Sequence, residues 1–197
     1  QENNNHVTLE NKIKNDEEEE EKEEEVEEGV KEPTVHKISS QRIIDVAAGG
    51  DQAVYVTAKG TIIGEGSILN GEITSLPNAI KTEVTDDSII ILTSDLTVYE
   101  YSGGTLTQIN LNDVVDISAS GDSVMLQTKD ERIYVLGANT YGELGTGDTS
   151  SVGTPVLVSA HSEDVFGMGI GNKNTYMIKT NGNVYSSGEN TYGTIGN

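Results

Sequence analysis

The stretch Gly142-Glu143-Leu144-Gly145-Thr146-Gly147 has the glycine density of a phosphate-binding loop. A P-loop also needs a Gly-Lys-Ser/Thr ending, and a dinucleotide fingerprint needs a strand before it and a helix after it. Neither condition is met, so the glycines read as tight-turn residues that take positive φ. His6, His36 and His161 are far apart, and none has a second ligand at metal-binding spacing. Asp86-Asp87 and Glu163-Asp164 are adjacent acids. Glycosidase chemistry needs two carboxylates facing each other across a substrate, whereas neighbours in a loop or strand point apart. There is no Gly-x-Ser-x-Gly elbow and no cysteine. Catalytic, cofactor-binding and metal-binding residues are therefore all expected to be absent, and an enzyme is not expected.

Composition narrows the partners. The 197 residues carry 33 acidic and 12 basic side chains, a net charge of −21. Residues 1–32 alone hold 14 acids and 4 bases. Nucleic acids and anionic membrane surfaces need clustered Lys and Arg, so both are disfavoured. No apolar run approaches the ~20 residues of a bilayer span, so membrane insertion is not expected. Residues 1–32, with the glutamate-rich Asp16–Glu28 tract, read as a disordered, self-repelling linker. A start at Gln1 suits a mature chain after signal cleavage or a piece of a longer one. The Asn, Ile, Glu and Lys bias, with only Arg42 and Arg132 as arginines, points to an AT-rich bacterial genome.

From Pro33 onward the organising feature is a repeat. Four cores align without gaps over 20 positions: 44–63, 80–99, 115–134 and 166–185. Each reads as β: short branched and aromatic runs (Ala53–Val56, Ile89–Leu92, Val124–Leu126, Tyr176–Ile178) followed by tight turns. Asn181-Gly182 is the clearest turn and suits the positive φ angles of a type I′ hairpin. Helical periodicity is absent after residue 32. The third repeat continues as Gly137-Ala138-Asn139-Thr140-Tyr141-Gly142-Glu143-Leu144-Gly145-Thr146-Gly147-Asp148, then Thr154-Pro155-Val156. The fourth repeats this frame from Gly188 through Asn190, Tyr192 and Gly193 to Gly196.

These residues resemble the RCC1-type (regulator of chromosome condensation) repeat of β-propellers, over residues 33–197. The match is strong in repeats three and four, fair in the first and poor in the second, which lacks the loop motif. The family's Trp before the repeat glycine is replaced by Glu65, Tyr101, Leu136 and Ser187, so blade packing is expected to differ there. The resemblance implies an all-β propeller, usually of seven blades. Four units are too few for one such ring, so the chain reads as a fragment of a longer propeller or one part of a composite ring closed by self-association. Pro33 lies 16 residues before Gly49, as Pro155 lies 16 before Gly171, so the chain enters and leaves in mid-repeat.

Asn139 and Asn190 are expected to satisfy loop backbone groups, and Asp148 to serve a turn. Tyr141 and Tyr192 are expected to cover gaps between blades. The alternative makes Tyr141, Tyr192, Asp148 and Tyr101 anchors for a protein partner, with specificity in Ser67–Pro77, Ser102–Asp113 and Thr146–Thr154. The function expected is a non-enzymatic binding scaffold, secreted or on a bacterial surface. A structural assembly module and a guanine-nucleotide exchange regulator are the alternatives.

Overall fold

The computed structural model describes residues 39–196 except Pro77 and Ser159. The acidic 1–32 segment, the Pro33 register, His6 and His36 lie outside the described residues. Fifteen strands and no helix are found among those described. They form four antiparallel sheets, each a meander. Blade 1 contains β1 (Ile43–Gly49), β2 (Gln52–Thr57), β3 (Ile62–Glu65) and β4 (Gly71–Ile73). Blade 2 contains β5 (Ala79–Val84), β6 (Ile89–Thr93), β7 (Val98–Ser102) and β8 (Thr105–Ile109). Blade 3 contains β9 (Val114–Ser120), β10 (Ser123–Thr128), β11 (Ile133–Gly137) and β12 (Val152–Leu157). Blade 4 contains β13 (Val165–Ile170), β14 (Asn174–Lys179) and β15 (Val184–Gly188).

The first strands β1, β5, β9 and β13 approach one another in series, which makes them the inner strands of an arc. One apolar core fills each seam. Val54, Val56 and Ile62 meet Val84, Ile89 and Ile91 between blades 1 and 2. Ile90, Leu92 and Val98 meet Ile117, Val124 and Leu126 between blades 2 and 3. Met125, Ile133 and Leu144 meet Val165 and Met177 between blades 3 and 4. The second strands are apolar on both faces, as sheets covered on both sides must be.

All four hairpins that join the second and third strands use the same turn. In blade 4 the Lys179 amide donates to the Asn183 carbonyl (2.9 Å), and the Gly182 amide to the Lys179 carbonyl (2.8 Å). Only Gly182 of the Asn-Gly pair has positive φ. The turn is therefore a three-residue loop ending in a left-handed residue, not the expected type I′ turn. The two-residue turn with both φ positive occurs at Gly103-Gly104, between β7 and β8. The left-handed place is taken by Gly60 and Gly182, but by Leu96 (φ 66°) and Glu131 (φ 62°) in the other two blades.

That left-handed residue also builds the seams. The Leu96 carbonyl accepts from the Val114 amide (3.0 Å), and the Glu131 carbonyl from the Val165 amide (3.3 Å). At Gly60 a Cβ would stand 2.6 Å from the Asn78 Cα, so only glycine fits against blade 2.

The β6–β7 turn adds a titratable group. Asp95 accepts hydrogen bonds from the Thr93 and Thr97 hydroxyls, which hold its carboxyl below the ordinary value. A lowered folded value contributes stability that is present at neutral pH and lost on acidification through that value. Asp95→Asn should flatten the fall in melting temperature between pH 6 and pH 3. Glu131 is exposed and strained, and Glu131→Gly should raise stability by about 0.5–1 kcal/mol, a melting shift of roughly 2 °C by calorimetry.

Candidate protein-binding surface

The outer loop of blade 3 is built around the Asn139 side chain, which is fully buried. Its Nδ2 donates to Thr146 Oγ1 and to the Asp148 and Ser150 carbonyls at 3.0–3.1 Å. Its Oδ1 accepts from the Leu144 amide at 2.9 Å. One side chain thus closes the loop and drives Leu144 into the core between blades 3 and 4. Glu143 lies across the same seam: its carboxylate accepts from the Tyr141 amide (2.7 Å), and its carbonyl from Thr175 Oγ1 (2.6 Å). Blade 4 copies the device where Asn190 Oδ1 accepts from the Ile195 amide (3.2 Å). In blade 1 a different residue does this work. Gln52 accepts from the Ile68 and Leu69 amides and donates to the Leu69 carbonyl.

The expected partner anchors occupy different settings. Asp148 accepts from Thr146 Oγ1 and the Ser150 amide, which makes it a turn residue. Tyr101 is half-buried against the core between blades 1 and 2. The Tyr141 ring carries the Lys173 ammonium of blade 4 at 4.4 Å, and Lys173 pairs with Glu189 at 3.1 Å. That pairing raises the Lys173 pKa and lowers that of Glu189. Tyr192, the counterpart of Tyr141, is 88% exposed. Tyr101 therefore belongs to a blade 2 core, while the other three belong to the outer loops of blades 3 and 4.

The segments expected to vary freely are partly structural. Ser67–Pro77 contains β4, Ser102–Asp113 contains β8, and Thr146–Thr154 contains the start of β12. Exchanging them whole would remove fourth strands, so they are not interchangeable loops.

The other candidate groups have structural work. Asp164 is left-handed (φ 56°) and its carbonyl accepts from the Thr180 amide, while Glu163 pairs with Lys179 at 3.1 Å. His161 stacks on Tyr185 with centroids 4.1 Å apart. Asp86 and Asp87 sit in the β5–β6 turn, where the Asp86 amide donates to the Gly121 carbonyl of blade 3. Burial first, and then these two acids, raise the Asp122 pKa. No group of three or more His, Cys, Asp or Glu able to hold a metal occurs among the described residues.

A surface not singled out from the sequence lies at the start of the inner strands. Each inner strand carries a β-bulge, at Ile44, Ile80, Val115 and Phe166. The bulge turns these side chains outward, and all four are 39–65% exposed. Blades 2 and 3, which have neighbours on both sides, show it as clearly as the end blades do. Bulges commonly re-aim a side chain next to a functional site. Acids stand near two of them: Asp113 and Asp164 precede Val115 and Phe166 by two positions, whereas Arg42 and Asn78 hold that place before Ile44 and Ile80. The Lys129 amide bonds the Asp113 carbonyl (2.8 Å), which docks the Lys129-Asp130-Glu131 turn beside it. The apolar doublets Ile43-Ile44, Val114-Val115 and Val165-Phe166, which break strand alternation, were the available sequence signal.

Meandering four-stranded sheets packed face to face in an arc define a repeat β-propeller. Within that class the chain is an RCC1-like repeat propeller. The Regulator of chromosome condensation (RCC1) repeat model matches residues 130–178. The chain is 31% identical over 94 residues to Protein RCC2 homolog of Xenopus laevis, covering 47% of this chain and 18% of that protein. It is 31% identical over 87 residues to human X-linked retinitis pigmentosa GTPase regulator, covering 43% of this chain and 8% of that protein. The fold superposes on yeast RCC1 (Prp20), seen bound to Kap60, with a TM-score of 0.67 at 14% identity, covering 79% of this chain and 46% of Prp20. Human WBSCR16 gives 0.65 at 14% identity, covering 75% and 47%. The chain thus spans about half the length of these structures and under a fifth of the curated relatives.

Asn139→Ala should leave buried loop carbonyls and the Leu144 amide unpaired. A melting temperature lower by roughly 5–10 °C is the expected calorimetric outcome.

Proposed function

We propose that this chain is a non-enzymatic protein-binding propeller whose contact surface is the row of bulge residues Ile44, Ile80, Val115 and Phe166. The supporting observation is their shared exposure at one position in all four blades. A hydrophobic row with acids beside Val115 and Phe166 suits a protein segment that offers apolar side chains, with Lys or Arg near those two blades. The proposal includes a secreted or surface-attached bacterial setting. Its support is compositional: the Asn, Ile, Glu and Lys bias, and an acidic segment able to act as a spacer.

A second reading is guanine-nucleotide exchange. It is favoured by the likeness to a GTPase regulator and to Prp20, whose binding to Gsp1p and histones has been described. The acidic surface disfavours histone-like chromatin contacts less than DNA contacts, since histones are basic and DNA is not. Accelerated release of labelled guanine nucleotide from a small GTPase would establish this reading in place of the first.

A phage-displayed random peptide library panned on the chain tests the contact surface. Selected peptides should combine apolar residues with Lys or Arg. They should bind a Val115→Glu, Phe166→Glu variant at least about tenfold more weakly at unchanged melting temperature. Absence of enrichment, or peptides indifferent to the two substitutions, would overturn the assignment.

A further inference from the structure

The fourth strands of blades 1, 2 and 3 end in edges that the sequence treats differently. An unpaired edge carries a row of free N–H and C=O groups, and proteins blunt such rows with short strands, charges, prolines or bulges. β4 has three residues and carries Glu72. β12 contains Pro155 and shifts register against β11 between Val135 and Gly137. β8, Thr105-Leu106-Thr107-Gln108-Ile109, has none of these devices. Its five residues are uncharged, and they pair with β7 in unbroken register from Thr105 opposite Ser102 to Ile109 opposite Val98. Thr105, Thr107 and Gln108 are exposed. Among the described residues β7 is the sole strand neighbour of β8.

The two-residue Gly103-Gly104 turn fixes which groups are free. The residues flanking such a turn, here Ser102 and Thr105, form a hydrogen-bonded pair, and bonded and non-bonded pairs alternate along an antiparallel ladder. The N–H and C=O groups of Thr105, Thr107 and Ile109 therefore turn toward β7, and those of Leu106 and Gln108 turn outward. Beside this edge lies a hollow of about 450 Å³ between β4 and the β7–β8 hairpin. Ile73, Tyr101 and Leu106 give it apolar walls, Thr74 and Ser75 add hydroxyls, and Glu72 is the one charge in its lining. Tyr101 and Leu106 are cross-strand partners that pack against the core between blades 1 and 2. On a strand added to β8, the residue opposite Leu106 would project to that same side, toward the hollow. A long apolar stem with a cationic tip, as in Lys or Arg, complements apolar walls that hold a single carboxylate.

We propose that the β8 edge and this hollow form a strand-addition site for an extended segment of a partner protein, with a Lys or Arg opposite Leu106 reaching toward Glu72. Main-chain bonds to Leu106 and Gln108 supply the affinity, and the hollow selects the side chain. The site is separate from the bulge row, because β8 is the outermost strand of blade 2 and Ile80 lies on its innermost, β5.

The probe is a fluorescein-labelled peptide, Thr-Val-Thr-Lys-Thr-Val-Thr, titrated against the full chain by fluorescence polarisation. Saturable binding is expected, with slowed hydrogen exchange at the Leu106 and Gln108 amides, which a contact through side chains alone would not produce. Gln108→Pro removes an outward N–H that blade 2 does not use. The melting temperature should therefore hold while affinity falls at least about tenfold. On the unaltered chain, a fully N-methylated peptide should not bind. Glu72→Lys should reverse the preference between the probe and its counterpart with Glu in place of Lys, by roughly fivefold. No binding up to about 1 mM, or binding indifferent to Gln108→Pro and to N-methylation, would overturn the proposal. A doubled mass in sedimentation velocity that Gln108→Pro returns to 21.0 kDa would assign the edge to a second copy of the chain, and would overturn it too. Val115→Glu should leave the probe's affinity unchanged, so loss of the bulge surface and loss of the strand site are read separately.

Discussion

The structure depends on burying sheets that are apolar on both faces. β6 runs Ile89-Ile90-Ile91-Leu92-Thr93 with every residue buried, alternate side chains entering different cores. At about 25 cal/mol per Å² of apolar surface, neither face can be left in water without a cost comparable to a small domain's whole stability. A blade of this composition is therefore stable only between neighbours. The three seams are the folding unit in the energetic sense, and the blades are what they connect. Radial repetition follows from this, as it does in other arrays whose repeats cannot bury their own faces.

Within that constraint the sequence varies the fittings more than the frame. The glycines before the outer loops keep their place in blades 1, 3 and 4. A Cβ at Gly137 or Gly188 would strike the Asp122 or Lys173 carbonyl at 1.9–2.0 Å. Blade 2 has Ser102 there and escapes the clash by running β7 straight into a tight hairpin, with Ser102 donating to the Asp87 carbonyl. The missing family Trp is absorbed in a similar way. Tyr101 and Leu136 pack against cores from that position, Ser187 meets Thr175, and Glu65 stays at the surface.

Much of the frame was legible because repetition amplifies weak signals. A single run such as Val124-Met125-Leu126 is ambiguous, but four runs in one register are not. The same averaging hid what lies outside a period-two strand. The bulges carry no distinct signal there, since a doublet such as Val114-Val115 looks like one more apolar pair. The Asn181-Gly182 turn was assigned by its dipeptide, although its geometry is set by the three-residue loop shared with Leu96 and Glu131, where no glycine occurs. The outer segments looked like loops because β4 has three residues, β8 is mostly polar, and only the start of β12 falls within its segment. Asn139 was correctly expected to serve the backbone. Its counterpart in blade 1, Gln52, could not be found that way, because it lies in another strand and reaches the loop only in three dimensions.

The short hairpin of blade 2 leaves its seam with blade 3 without an outer-loop strap. The seam between blades 3 and 4 is strapped by the Asn139 loop, which seats Leu144 and bonds Thr175. The seam between blades 1 and 2 has Leu69 held by Gln52. Between blades 2 and 3 no such strap crosses among the described residues. The ion pair of Lys81 with Asp116, at 2.7 Å and half-exposed, stands in for it, with Lys81 also donating to the Ile117 carbonyl. Burial works against the Lys81 charge, and Asp116 and Glu83 more than offset it, so its pKa is raised. A seam held partly by a solvent-accessible charge pair softens with ionic strength, whereas straps of buried leucine do not. The seam between blades 2 and 3 thus keeps its buried apolar core and its Val114–Leu96 backbone bond, with a salt-sensitive charge pair where the other seams have a loop strap.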